Sequence, residues 1–461
     1  MNAAPRQGGD ASRNTPWTQA HTLARTLATP LPGRPAPVVT AGGQVLAEEI
    51  TCVRAVPAFD NAAMDGYAVA GPGPWTVTGL ILAGAPVDVP TLRSGEAVEI
   101  ATGAPVPVGT EAVLPYEDAH LDAAGSINDA PGSVHDVPGS VHDVPGSVHD
   151  VPDGFRGSPA PGGVHGAPAR IGWTVRGRIG GRTHIRRAGE TLAVGATVAP
   201  AGRIVTATLV AAALQAGVEE VVTRRPPTVT LLVTGDEVVS AGMPGPGQVR
   251  DTFTGLVTAV TERAGGRLEA RHHQPDDPVS LAAALDRAGT DVIVVSGSSS
   301  AGAADHLRTL LSERKATWHV RGVACRPGHP QALAELPGGR WVVSLPGNPF
   351  AGLVAALTLL EPLLGALAGR SAGPLPAVPV TGSTKLMPGG VRIVPVICEP
   401  LATGVPPMPG EGPVPGAAVP AARIGADGGP AGLHAAALAD ALAVLPDTWA
   451  SGDLATLLTI P

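Results

Sequence analysis

The chain has 461 residues, of which 44% are hydrophobic but only 3% aromatic, and its formal net charge is −8. That length exceeds one ordinary domain and points to two to four. The acidic balance, with no basic stripe interleaved with aromatics, argues against a nucleic-acid partner, and no uninterrupted apolar run of roughly 18 residues argues for a membrane span. Cys52, Cys325 and Cys398 are scattered and odd in number. They fit a reducing compartment, with neither a disulfide framework nor a zinc cluster. The N-terminus MNAAPRQGGDASRNTP is polar and has no apolar core of a secretion signal. A soluble cytoplasmic protein is the expectation.

Residues 1–15 read as a disordered tail. Trp17–Leu27 has helical apolar spacing, and Gln44–Ile50 continues as helix or extended chain. VPAFDNAAMDGYAVA, residues 56–70, is too rich in loop formers for a regular helix. Trp75–Val113 reads as short strands broken by Gly and Pro. Residues 129–152 repeat DAPGSVH, DVPGSVH, DVPGSVH, DVP. Pro and Gly in every unit rule out a coiled coil, and the unit is too short and polar for a solenoid. The stretch reads as a low-complexity loop expansion to about residue 168. His135, His142 and His149 recur within it, but with no fixed geometry and no carboxylate support for a metal.

Residues 170–187 recover strand character, and Thr206–Ala216 is a short helix. From Pro226-Pro227 to about Leu367 strand and helix alternate, with helices expected at 249–264, 279–288, 303–313 and 350–367 and strands at 229–233, 291–295 and 341–344. This alternation argues for a doubly wound parallel sheet. Residues 374–461, rich in Pro and Gly, read as a closing β domain.

Three of those strands run into small-residue loops. Val229–Val233 leads to Thr234, Gly235, Asp236 and Glu237. Asp291–Val295 leads to Ser296–Gly302, including Gly297, Ser298, Ser300 and Gly302. Trp341–Ser344 leads through Leu345 to Pro346, Gly347, Asn348 and Pro349. In an open parallel sheet such loops gather at the carboxyl edge, where ligands bind, and free backbone N–H groups there can hold an anion. Gly297–Gly302 has the G-x-x-x-x-G half of a phosphate loop but lacks the Lys and Ser/Thr that would follow. G-x-S-x-G is also unmet, because Ala301 holds its last position. Asp236, Glu237, Asp251 and Asp305 fall on the same edge. Asp251 suits a helix cap and Asp305 a helix first turn. Four carboxylates would repel a phosphate. Mg²⁺ held by one or two carboxylates, with Glu237 and Asp305 the candidates, plus ligand oxygens resolves the conflict.

VPAFDNAAMDGYAVA, ATGAPVPVGTEAVLP, HIRRAGE, LLVTGDEV, QVRDT, the Ser-Gly loop ending in Asp305, CRPGHP and SLPGNPF occur in this order. The set resembles the molybdopterin molybdenumtransferases, to which the C-terminal region of gephyrin is similar. The resemblance covers roughly residues 17–461 apart from the repeat. It implies a tail at 1–15 and an elongated first domain in two pieces, 16–54 and 186–225. It also implies a β-rich second domain, 55–185, carrying an insert at 120–169. An α/β molybdopterin-binding-like third domain, 226–373, and a β-barrel-like fourth, 374–461, complete the chain. The fold class is thus α/β and multidomain. The implied reaction inserts molybdate into adenylylated molybdopterin with Mg²⁺ and release of AMP. The implied assembly is a homodimer with sites between subunits, working beside other proteins of molybdenum cofactor biosynthesis.

On this resemblance Asp65 and Thr102 reach the site from the partner subunit, and Glu237 and Asp305 match functional acidic positions. Arg326, before Pro327 and Gly328, suits an oxyanion. The chain departs from the family pattern at Ser298, Ser299, Ala301 and Ala303 in the loop, at Arg326 and His329 where lysines are usual, and at Phe253, Thr191 and Ala62. Arg for Lys replaces a point charge with a planar fork. These departures leave an alternative open: a paralogue that binds a pterin or protein partner without turning over.

Overall fold

The computed structural model describes residues 14–84, 90–122, 170–297, 301–371, 373–399, 421–425 and 432–461, without the side chains of 301–305. The tail before residue 14 and the repeat at 129–168 lie outside the described residues. Two edges of those expectations change. Thr15–Pro16 pairs in parallel with Val323–Arg326, and Ala119–Asp122 is a strand paired with Thr174–Gly177. The expected insert therefore starts after residue 122. The chain forms two compact units, Cys52–Ala196 and Met1–Thr51 with Thr197–Pro461.

The unit Cys52–Ala196 is β-rich. Its main sheet runs, in spatial order, Ala119–Asp122, Thr174–Gly177, Trp75–Ile81, Glu96–Ile100, Gly66–Val69 and Ala112–Pro115. The loop-rich stretch 56–70 supplies the fully buried strand Gly66–Val69, second from one edge of this sheet. Its FDN segment is pinned from the HIRRAGE motif: Arg187 Nη1 donates to Asp60 Oδ2 at 2.6 Å and Ala188 N to Oδ1 at 2.8 Å. These bonds, from Ala188 first and Arg187 second, hold the Asp60 carboxyl below its ordinary range.

The other unit is built on a six-stranded sheet in the order Arg267–Gln274, Thr228–Thr234, Val292–Ser296, Arg340–Leu345, Ala332–Leu336 and Thr317–Val320. The first four strands are parallel, and the last two attach antiparallel. The sheet is thus mixed and not wholly parallel. Side chains alternate across it. Val229, Leu231, Val233, Val292 and Val294 face a core with Phe253, Val257, Phe350 and Leu353. Leu232, Ile293, Val295 and Val342 face the opposite core with Leu281, Leu285, Leu307 and Leu311. Helices cover both faces, which is the doubly wound arrangement. Phe253–Arg263 begins four residues later than expected, because Val249–Arg250 is used in a short ladder with Val238–Val239.

The helical run Pro349–Leu367 is long and apolar enough to cross a membrane by length and composition, with mean hydropathy 1.9, and 78% of its most apolar window is buried. Glu361 and Pro362 interrupt it, so it is not an uninterrupted apolar run. Burial in the core accounts for its apolarity. Its middle, Ala356–Leu360, is π-helical. There Thr358 Oγ1 donates to Val354 O at 2.7 Å and accepts from Trp17 Nε1 at 3.0 Å. This bond docks the helix Trp17–Thr26 on the core.

The C-terminal strands close a barrel. Val391–Cys398 pairs with both Ala422–Ile424 and Ala441–Pro446. Leu454–Thr459 and Ala377–Thr381 complete the ring. Val380, Val394, Val396, Leu445, Trp449 and Leu457 fill it.

Candidate active site

The strand order reverses at Thr228–Thr234, which lies between Arg267–Gln274 and Val292–Ser296. Such a switch point opens a crevice at the carboxyl ends of the strands. A cleft of about 590 Å³ lies there, lined by Thr234, Gly235, Glu237, Arg250, Asp251 and Phe253 on one side and Ser296, Gly297, Gly347, Asn348 and Pro349 on the other. That volume suits a small-molecule ligand.

Local bonding shapes the first wall. Val238 N donates to Gly235 O at 3.2 Å, Val249 N to Glu237 O at 2.9 Å and Asp251 N to Val239 O at 3.0 Å. This ladder holds Glu237 and Arg250 at the cleft. Gly235 has φ +123°, and a Cβ there would lie 2.6 Å from Glu237 Oε2. The Glu237 side chain therefore folds back over a glycine. His273 Nε2 lies 2.7 Å from Gly235 O.

Across the cleft, Thr234 Oγ1 donates to Ser296 O at 2.7 Å. Gly297 follows with φ +83°, and a Cβ there would meet Thr234 Oγ1 at 2.7 Å and Thr234 O at 2.8 Å. Only glycine lets the two loops approach this closely.

Asp251 lines the cleft, but its carboxylate is taken. Oδ1 accepts from Phe253 N at 2.9 Å and Thr254 N at 3.1 Å, and Oδ2 accepts from Arg271 Nη2 at 2.8 Å and from Thr254 Oγ1. Burial disfavours its charge, yet the bonds from Thr254, Arg271 and Phe253 outweigh burial and hold its carboxyl below the usual range. Asp251 caps its helix and has little capacity left for a ligand.

The sequence reading missed Asp276. It follows the strand Arg267–Gln274, whose polar RLEARHHQ pattern hid it as an edge strand; the signal available was PDDP after that run. Asp276 also lines the cleft, and its N donates to Asp236 Oδ1 at 3.3 Å. Burial first, then the charges of Glu237 and Asp236, push the Asp276 carboxyl up. Arg250 and Ser296 were likewise missed.

Other expected residues sit elsewhere. Asp236, Arg326, Pro327, Gly328 and Pro346 are not among the lining residues. Val323–Arg326 joins the sheet of the C-terminal strands through Val391–Cys398, which draws Arg326 to the end of a different sheet. Gly328 packs on Val354 and Ala351, and Pro346 is buried. Ser298, Ser300 and the side chain of Asp305 lie outside the described residues, and Gly302 is described only as backbone of the helix Ala301–Glu313. In the other unit the structure joins Asp65 to Thr102: Asp65 Oδ1 accepts from Thr102 N at 2.6 Å and Thr102 Oγ1 at 2.9 Å. Both residues are exposed.

Among the described residues, no three His, Cys, Asp or Glu side chains form a ready metal cage. Mg²⁺ is usually held by one or two carboxylates with ligand oxygens and water. Glu237 and Asp276 offer oxygen donors of that kind, and a cation between them would offset the negative charge that adds to burial in raising Asp276.

The family model "MoeA N-terminal region (domain I and II)" matches residues 15–217, and "Probable molybdopterin binding domain" matches residues 230–366. A Mycobacterium tuberculosis protein named molybdopterin molybdenumtransferase 2 is 30% identical over 347 residues, covering 71% of this chain and 73% of that protein. The molybdopterin molybdenumtransferase of Haemophilus influenzae is 30% identical over 338 residues, covering 72% of each. A crystal structure of a molybdopterin biosynthesis moea protein from Pyrococcus horikosii has a TM-score of 0.69 at 22% identity, covering 97% of this chain and 100% of that one. The switch-point cleft lies inside the matched molybdopterin-binding segment, and the chain belongs to the molybdopterin molybdenumtransferase family.

Proposed function

We propose that this protein inserts molybdate into adenylylated molybdopterin and releases AMP, as an enzyme of molybdenum cofactor biosynthesis. The observation that carries this reading is one cleft lined jointly by Thr234, Gly235 and Glu237, by Ser296 and Gly297, and by Gly347–Pro349. Gly235 and Gly297 let backbone approach a ligand, Arg250 supplies positive charge, and Asn348 supplies a polar amide at the wall. Glu237 with Asp276 would hold Mg²⁺, with Asp305 a further candidate. The ion would supply charge neutralisation between these carboxylates and the ligand phosphates.

The proposal extends to assembly and place. The enzyme acts in the cytoplasm as a homodimer, with the four-domain division set out above. Asp65 and Thr102 complete the site from the partner subunit. Their mutual hydrogen bonds supply a motive, because they fix two exposed polar groups just beyond the Gly66–Ile100 pair of the sheet, where a partner subunit can reach them.

Mixing two inactive chains tests this reading. Asp65→Ala and Glu237→Ala are each expected to release no AMP alone. If each site draws on both subunits, a random equal mixture recovers about a quarter of parent activity, since half the dimers are mixed and each has one intact site. Recovery near zero, with mixed dimers demonstrated by native mass spectrometry, places Asp65 and Glu237 in the same subunit's site. A parent that releases no AMP removes the proposed activity itself.

A further inference from the structure

Ser296 ends the strand Val292–Ser296 and is 1% exposed, yet its hydroxyl has no hydrogen-bond partner among the described residues. Buried polar groups are normally paired, and an unpaired one costs free energy. The backbone cannot shift to supply a partner. Val233 and Leu345 flank Ser296 in the sheet, and Thr234 Oγ1 already donates to its carbonyl. Gly297 N is spent on Leu345 O at 3.2 Å.

Sheet alternation sets where the hydroxyl points. Val292 and Val294 face the core that holds Phe253 and Phe350, whereas Ile293 and Val295 face the other core. Ser296 lies two residues beyond Val294 and shares its face. The helices starting at Phe253 and Pro349 stand on that face, and their first residues are walls of the cleft. Ser296 itself belongs to the lining. An unsatisfied, nearly fully buried hydroxyl is thus aimed at the floor of the cleft.

We propose that Ser296 is a ligand-binding residue whose hydroxyl donates to an anionic oxygen of the bound substrate. This rests on the reading of the cleft as the substrate site. A serine hydroxyl has one hydrogen to donate, no acceptor among the described residues takes it, and so the acceptor arrives with the ligand. A hydroxyl donor adds to the positive charge of Arg250 in holding an anion, without adding to the negative charge of Glu237 and Asp276 in the same cleft. Two ligand oxygens share the required chemistry: a phosphate oxygen of the pterin nucleotide and an oxo group of molybdate.

Calorimetric titration of the parent, Ser296→Ala and Ser296→Cys, with adenylylated molybdopterin and with molybdate alone, tests the assignment. Ser296→Ala removes an unpaired group, so its ligand-free melting temperature should rise by a degree or more. Its affinity for the substrate should fall about tenfold, the loss of one hydrogen bond to a charged acceptor. Ser296→Cys, a weaker donor of similar shape, should fall between parent and Ala. Loss confined to adenylylated molybdopterin assigns the bond to phosphate, and loss with molybdate alone assigns it to the oxyanion. Unchanged affinity for both in Ser296→Ala, or a lowered ligand-free melting temperature, overturns the role of Ser296 and leaves the cleft as the substrate site. A parent that binds neither ligand overturns the substrate reading and this assignment together.

Discussion

Gly297→Ala is expected to cost about 3 kcal/mol of stability and to lower turnover on the order of 100-fold. The Gly297 backbone sits at φ +83°, where an added Cβ is itself unfavourable. That Cβ would also lie 2.7 Å from Thr234 Oγ1 and 2.8 Å from Thr234 O. Neither atom can withdraw easily. Thr234 is in the sheet, and its hydroxyl is engaged with Ser296 O. The clash can be relieved only by parting the two strand ends, and those ends are the floor of the cleft. Urea unfolding together with AMP release checks this. A variant with parent stability and parent turnover would show that the two loops are not held as tightly as described.

His21→Phe is expected to flatten the loss of stability on acidification. Burial first, and then the Arg25 guanidinium, lower the His21 imidazole from 6.5 to about 4. Its ring stacks on Trp17 with centroids 5.2 Å apart, and Arg25, Arg263, Arg370 and Glu361 line the same cavity. Glu361 is itself held by Arg263, with paired bonds of 2.8 Å, so it favours a charged His21 only weakly. The direction follows from the shift. Above 6.5 both folded and unfolded His21 are neutral, and its contribution is fully present. Between 6.5 and about 4 only the unfolded chain takes the proton, so stability falls with pH; below about 4 the loss stops. The loss is on the order of 2–3 kcal/mol. Carboxylates such as Asp251 also titrate, so the difference between parent and His21→Phe isolates the histidine. Urea midpoints at pH 6.5, 5.5 and 4.5 should converge toward the parent value at the highest pH and separate as pH falls. Parallel pH profiles would show that His21 takes its proton equally well in the folded chain.

Much of the architecture was legible because patterning and turn chemistry agree. Strand Val292–Ser296 is continuously β-branched before its terminal serine, as befits a strand buried on both faces. Gly, Pro and Asn then mark the loops that follow it and Arg340–Leu345. These cues located the carboxyl edge and, within it, Thr234, Gly235, Glu237, Gly297 and Asn348. The cues failed where burial is one-sided or pairing is distant. Arg267–Gln274 is a polar edge strand, so neither it nor Asp276 beyond it stood out. Val323–Arg326 resembles any short apolar run, and nothing local says that its partner is Val391–Cys398 on another sheet. That pairing is why Arg326 lies outside the cleft lining. Asp251 illustrates a third kind of miss: its position on the site edge was legible, but the four donors that occupy it come from Phe253, Thr254 and Arg271, and only the fold brings Arg271 there.

The most direct test is a single-turnover assay of the purified protein with adenylylated molybdopterin and Mg²⁺, measuring AMP with and without molybdate. AMP is expected in step with substrate consumed and dependent on molybdate. Tight binding of adenylylated molybdopterin with no molybdate-dependent AMP would contradict it and make the protein a pterin-binding member of its family that does not turn over.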